Sequence, residues 1–225
     1  MIRLWHGTSL KNRRNILISV ISCLFPMGIG LMAWSSFPDQ IPIHFNFQGT
    51  PDDWMSKAAF FFGFPWFFAG FDLLILFITF QDAKGRPGSP VIESMMMWMI
   101  PVIECITIGG CVFFVFRPEF QIERFLTGAI GLGGLVLGNL LPKARQNTTF
   151  GFRNSYTLNS KEVWAKVNRA GGYGMCLISL GTLLGAFLIH PAWATLAVLP
   201  FLMIGLMIGL WLYSKTLYHK LHSQA

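Results

Sequence analysis

Two carboxylates stand where a bilayer would be. Asp72 and Glu104 each lie inside a long apolar run, Ala58–Phe80 and Ser94–Phe116. Counted from Phe80 and Ser94, they sit about 12 and 15 Å into those runs at 1.5 Å per residue. Ionisable groups at such depth default to function, because hydrocarbon offers them nothing to bond to. No Lys or Arg within the runs could neutralise them, which leaves proton carriage, cation binding or exposure to water as their chemistry. The plainer alternative is a pair of neutral acids hydrogen-bonded to Thr127, Asn139 or Ser179 for packing alone.

Two other side chains could do chemistry. His44 could bind a metal or sense pH, but no second His or Cys is near, so Asp39, Asp52 or Asp53 would have to complete a metal shell. A loop histidine bonded to backbone is the plainer reading. Arg153 has a planar fork suited to a phosphate, a lipid headgroup or a partner's carboxylate, and Asn147 and Gly151 beside it predict a shaped turn. No HExxH, GxSxG, P-loop or dinucleotide fingerprint occurs, so the chain is expected not to be an enzyme, and an intramembrane hydrolase ranks last. No metal or other cofactor is expected.

Elements that hold such groups at depth must be membrane spans. Of 225 residues, 53% are hydrophobic and 12% charged, against roughly 25% charged in soluble domains. That excludes a soluble fold. Six stretches reach the ~20 apolar residues of a spanning helix: Asn15–Trp34, Ala58–Phe80, Ser94–Phe116, Phe125–Leu141, Gly171–Ile189 and Trp193–Tyr213. The predicted fold class is an all-α integral membrane protein forming a single membrane domain, 1–225. The net charge of +7 is dispersed between these runs, which argues against direct nucleic-acid binding and for membrane orientation.

Orientation follows from Lys and Arg near span ends. With the N-terminus inside, Arg3, Lys11, Arg13, Arg14, Lys84, Arg86, Lys143, Arg145, Arg153, Lys161, Lys166, Arg169, Lys215 and Lys220 face the cytoplasm, and only Lys57, Arg117 and Arg124 face out. Both termini are therefore expected inside. The first span lacks a small-residue cleavage site at its end, so it is read as a permanent helix. Cys23, Cys105, Cys111 and Cys176 have no paired spacing and read as packing residues. Gly134/Gly138, Gly181/Gly185 and Gly205/Gly209 are close-packing pairs on the last three spans.

Two loops are long. The external one, 35–57, predicts a short extended segment at Ile41–Phe47 and a turn over Gln48–Asp53, with Phe37, Phe45, Phe47 and Trp54 as apolar anchors. The cytoplasmic one, 142–170, predicts a capping box at Asn159 and Glu162. An interfacial amphipathic helix follows, with Val163, Trp164, Val167 and Ala170 on one face and Trp164 at headgroup depth.

Both loops carry a family pattern. Pro38, Pro42, His44, Asn46, Gly49, Trp54 and Lys57 fit an N-terminal domain of unknown function. Gly138, Asn139, Pro142, Lys143, Asn147, Gly151, Arg153, Thr157, Leu158 and Trp164 fit the signature of the SdpI-type immunity proteins, with departures at Phe152 and Tyr156. The chain thus resembles that family of bacterial membrane proteins. The resemblance implies a place in the bacterial cytoplasmic (inner) membrane, protection against a secreted peptide toxin, and signalling through a cytosolic transcriptional repressor. On this reading His44, Phe45, Asn46, Trp54 and Lys57 meet the toxin. Asn139, Lys143, Asn147, Arg153 and Trp164 meet membrane lipids or the cytosolic partner. The alternative reading is a small proton- or ion-coupled transporter using Asp72 and Glu104.

Overall fold

The computed structural model describes residues 10–46, 48–82, 89–147 and 150–223. Six described helices are long and apolar enough to cross a membrane: Arg14–Met32, Ala59–Thr79, Ile92–Phe116, Ile122–Lys143, Lys161–Leu188 and Trp193–Leu221. They coincide with the six expected spans, and the chain is a multi-pass membrane protein. The fifth differs most, starting at Lys161 instead of Gly171. Arg3, Phe47, Lys84 and Arg86 lie outside the described residues. The chain divides into two compact units, residues 1–84 with 93–123 and residues 85–92 with 124–225.

In the first unit, span one is broken into α1 (Leu10–Ser22) and α2 (Phe25–Met32). Pro26 explains the break: its ring excludes the carbonyl four residues back, and α1 stops at that residue, Ser22. The next span opens with a π-turn, Ala59–Gly63, ahead of α3 (Phe64–Asp82), and the wider turn accommodates Pro65. The third span is α4 (Pro90–Phe116). Three apolar clusters tie these helices together: Ile16, Leu76 and Met97; Cys23, Ala69 and Ile100; and Phe60 and Phe61 with Ile108 and Cys111.

The all-α expectation needs one correction here. Residues 40–56 form an antiparallel hairpin of β1 (Gln40–Phe45) and β2 (Pro51–Ser56), paired Gln40↔Ser56, Ile41↔Met55 and Pro42↔Trp54, with irregularities on either side of His44. The stretch Pro51-Asp52-Asp53, expected as turn, is therefore strand. The turn itself is tighter, because Asn46 Oδ1 accepts from Gln48 N and Thr50 N at 3.0 Å each. Gly49 closes it at φ +76, the left-handed conformation that glycine adopts without penalty. Ile41 and Phe37 anchor the hairpin in the cluster of Phe60 and Phe61.

The second unit is built from α5 (Ile122–Leu140), α6 (Ser155–Asn159), α7 (Lys161–Leu188) and α8 (Trp193–His222). Glycines set its spacing. A Cβ on Gly131 would lie 2.7 Å from the backbone nitrogen of Leu183, and one on Gly138 would lie 3.0 Å from that of Cys176, so α5 and α7 touch backbone to backbone. Of the expected GxxxG pairs, Gly134/Gly138 thus packs inside the unit. Gly205 and Gly209 on α8 face open space.

Candidate functional site

The hairpin spends most of its candidate ligand groups on itself. Lys57 Nζ sits 3.0 Å from Asp39 Oδ1, donates to Phe37 O at 3.3 Å and lies 4.8 Å from the Trp34 ring centroid. An ammonium so engaged is a tether for the end of β2. Phe45 is half-buried, with its ring 4.9 Å from that of Phe114, and Phe37 is buried; neither is a free anchor. Asn46 is the turn organiser. His44 Nδ1 and Asp52 Oδ1 are 2.5 Å apart across the strands, so the histidine bonds a carboxylate in place of backbone. Among the described residues no three His, Cys, Asp or Glu converge as metal ligands. What the hairpin displays is Trp54, 51% exposed, flanked by exposed Asp52 and Asp53.

The loop before α7 is locked by Asn147, where a shaped turn is expected, and by Asn168 and Gln146, which the sequence alone does not single out. Asn168, buried on α7, accepts from Phe152 N at 2.7 Å and donates to Trp164 O at 3.1 Å. Gln146 Nε2 donates to Thr157 O and Leu158 O at 2.7 and 2.8 Å. Asn147 closes its own turn, donating to Arg145 O and Phe150 O and accepting from Phe150 N. The signal for Asn168 was present: a polar residue one turn after Trp164 on the apolar face of a helix must find buried partners.

The capping box lies five residues earlier than expected. Asn154 and Thr157 exchange backbone-to-side-chain bonds at 2.9 Å each and start α6, Asn159 is the last residue of that helix, and Ser160 caps α7. Asn154 Nδ2 also donates to Ser214 Oγ at 2.7 Å, tying the loop to α8. The expected interfacial helix is not a separate element, since Lys161–Leu188 is continuous. Trp164, expected among headgroups, is buried, its Nε1 donating to Ala144 O at 2.8 Å. The reason is that Ala144 and the 150–154 segment fold over the same face as Val163 and Val167. Asn147 and Trp164 therefore build the loop, whereas Asn139, Lys143 and Arg153 are exposed. Arg153 is the one charged side chain between Phe150 and Ser160, and it projects from the most tightly bonded part of the loop.

Comparison with family models places a match on this region. A model described as the SdpI/YfhL protein family matches residues 143–214. Residues 143–214 are thus similar to the SdpI/YfhL protein family. A second model, a domain of unknown function (DUF1648), matches residues 21–69, which include the hairpin. Comparisons with curated proteins and with solved structures return no match. The SdpI family is a membrane immunity family, and its region here starts at Lys143, holds the locked loop with Arg153 and Asn168, and ends at Ser214. Between residues 143 and 214 Glu162 is the sole carboxylate against six Lys and Arg, and Glu162 is already paired with Lys166 at 2.7 Å. The SdpI region therefore presents a cationic surface.

Asp72 and Glu104 both belong to the first unit. Both are buried, and Asp72 bonds to span one, with Ser19 Oγ 2.5 Å from its Oδ2. Ser19 carries no mark in the sequence, because a small polar side chain in an apolar run gives no sign of what it faces.

Proposed function

We propose that the protein is a bacterial inner-membrane immunity protein that protects against a secreted peptide toxin and signals to a cytosolic repressor. The observation that carries this reading is the SdpI region itself, folded into a rigid loop that offers Arg153 outward on a cationic surface. Such a surface suits anionic lipid or an acidic patch on a partner protein. The hairpin would be the external face, where Trp54, bordered by Asp52 and Asp53, meets a hydrophobic, cationic peptide; exposed tryptophans of this kind dominate binding energy at interfaces.

Topology is tested first. A reporter inserted after Gln48 is expected to read as external and one after Asn147 as cytoplasmic; both on one side would reject the orientation. In cells expressing each variant at matched level, Trp54→Ala with His44→Ala is expected to reduce survival under toxin. Arg153→Ala is expected to remove the transcriptional response with survival kept. If Arg153→Ala alone abolishes survival, immunity arises on the cytoplasmic face. One observation, the two buried carboxyls, favours a second reading as a proton- or ion-coupled transporter; that reading requires flux in liposomes, which immunity does not.

A further inference from the structure

The Ser19 hydroxyl faces two oxygens at once. Its Oγ is 2.5 Å from Asp72 Oδ2 on α3 and 2.5 Å from the Met97 carbonyl on α4, and all three residues sit in the same unit. A hydroxyl carries one hydrogen, and a backbone carbonyl can only accept. Two oxygen–oxygen contacts this short need two hydrogens, since without one between them the lone pairs repel. Ser19 supplies the first, and Asp72 is the only group in the arrangement able to supply the second.

The surroundings agree. Ser19 is fully buried, and Asp72 Oδ1 and Glu104 Oε1 are buried with no hydrogen-bond partner. The printed bonds around Asp72 run through Ser19 of the first span, which also contacts Met97 O of α4. Among the described residues neither acid has an ion-pair partner. An anionic carboxylate would leave an uncompensated charge next to a second acid in an apolar interior, whereas a neutral acid leaves one weak carbonyl acceptor.

We infer that Ser19 and Asp72 form, with the Met97 carbonyl, an intramembrane proton-binding site, in which Asp72 holds the proton, gives it in a hydrogen bond to Ser19, and Ser19 gives its own to Met97 O. The proton is thus the ligand that closes α1 against α3 and α4, and Ser19 is the positioning residue of the relay. The site is independent of the toxin and partner surfaces.

Infrared spectroscopy of the full chain in nanodiscs at neutral pH tests this, with circular dichroism as the check on folding. The expected result is a protonated-carboxyl carbonyl band that disappears in Asp72→Asn and moves to higher frequency in Ser19→Ala, where the acceptor of the proton is gone. A merely structural serine would not move that band. If folded Asp72→Asn leaves the protonated-acid region unchanged, or if Ser19→Ala leaves the band in place, the site is not as inferred. Should Asp72→Asn fail to fold, the Ser19→Ala shift decides alone.

Discussion

Replacing Gly151 by alanine is expected to unseat the loop that displays Arg153 and to destabilise the SdpI region as a whole. Gly151 has φ +119, outside the conformations open to L-residues. A Cβ there would also lie 2.7 Å from Asn168 Oδ1 and 3.1 Å from the Trp164 ring. The methyl group therefore strikes the same oxygen that accepts from Phe152 N. Backbone strain of this kind costs about 1–3 kcal/mol, and a buried amide left without its bond costs about 1–3 kcal/mol more. The variant is expected to behave as Arg153→Ala does in the transcriptional response, while losing thermal stability in detergent, which Arg153→Ala keeps. A Gly151→Ala protein with unchanged melting and unchanged signalling would show that the loop is not held in this form.

The second large effect is expected at the contact between α5 and α7. Gly131→Leu and Gly133→Leu add the same side chain two residues apart on one helix. At Gly131 the new Cβ meets the Leu183 backbone nitrogen and Cα at 2.7 and 2.9 Å, atoms that cannot swing aside, whereas at Gly133 nothing lies within 4 Å. Leaving glycine gains about 1 kcal/mol of helix propensity at either position, and forced overpacking typically costs about 1–3 kcal/mol or more. The opposition predicts opposite outcomes: Gly131→Leu unfolds at lower temperature or fails to accumulate, and Gly133→Leu is as stable as the native chain or more so. Equal behaviour of the two would refute the close backbone approach. The same reasoning makes Gly134 and Gly138 packing residues of one protein molecule.

The carboxylates show how far a linear reading reaches. That Asp72 and Glu104 are placed in spans was legible, since depth follows from counting along a helix, but Ser19 as the partner of Asp72 was not. Which face of span one turns towards α3 and α4 depends on packing among helices distant in sequence, and three apolar clusters decide it. The hairpin makes the same point. Its first strand alternates visibly, whereas Pro51-Asp52-Asp53 has turn composition and becomes strand only because β1 is there to pair with it.

By itself the sequence determined the number and approximate limits of the spans, because a bilayer selects on length and apolarity, both local properties of a chain. It also carries the likeness of residues 143–214 to the SdpI/YfhL family model, which rests on residue types at set spacing. Only the tertiary structure decided which polar side chains are used up within the protein and which are presented. Lys57, Asn46, Asn147 and Trp164 look like contact residues in a line of letters and turn out to hold loops together, and Arg153 and Trp54 are left facing outward. The physical reason is that a hydrogen bond or ion pair needs its partner within about 3–4 Å, and for Trp164 with Ala144, or Lys57 with Phe37, that partner is 20 residues away in the chain.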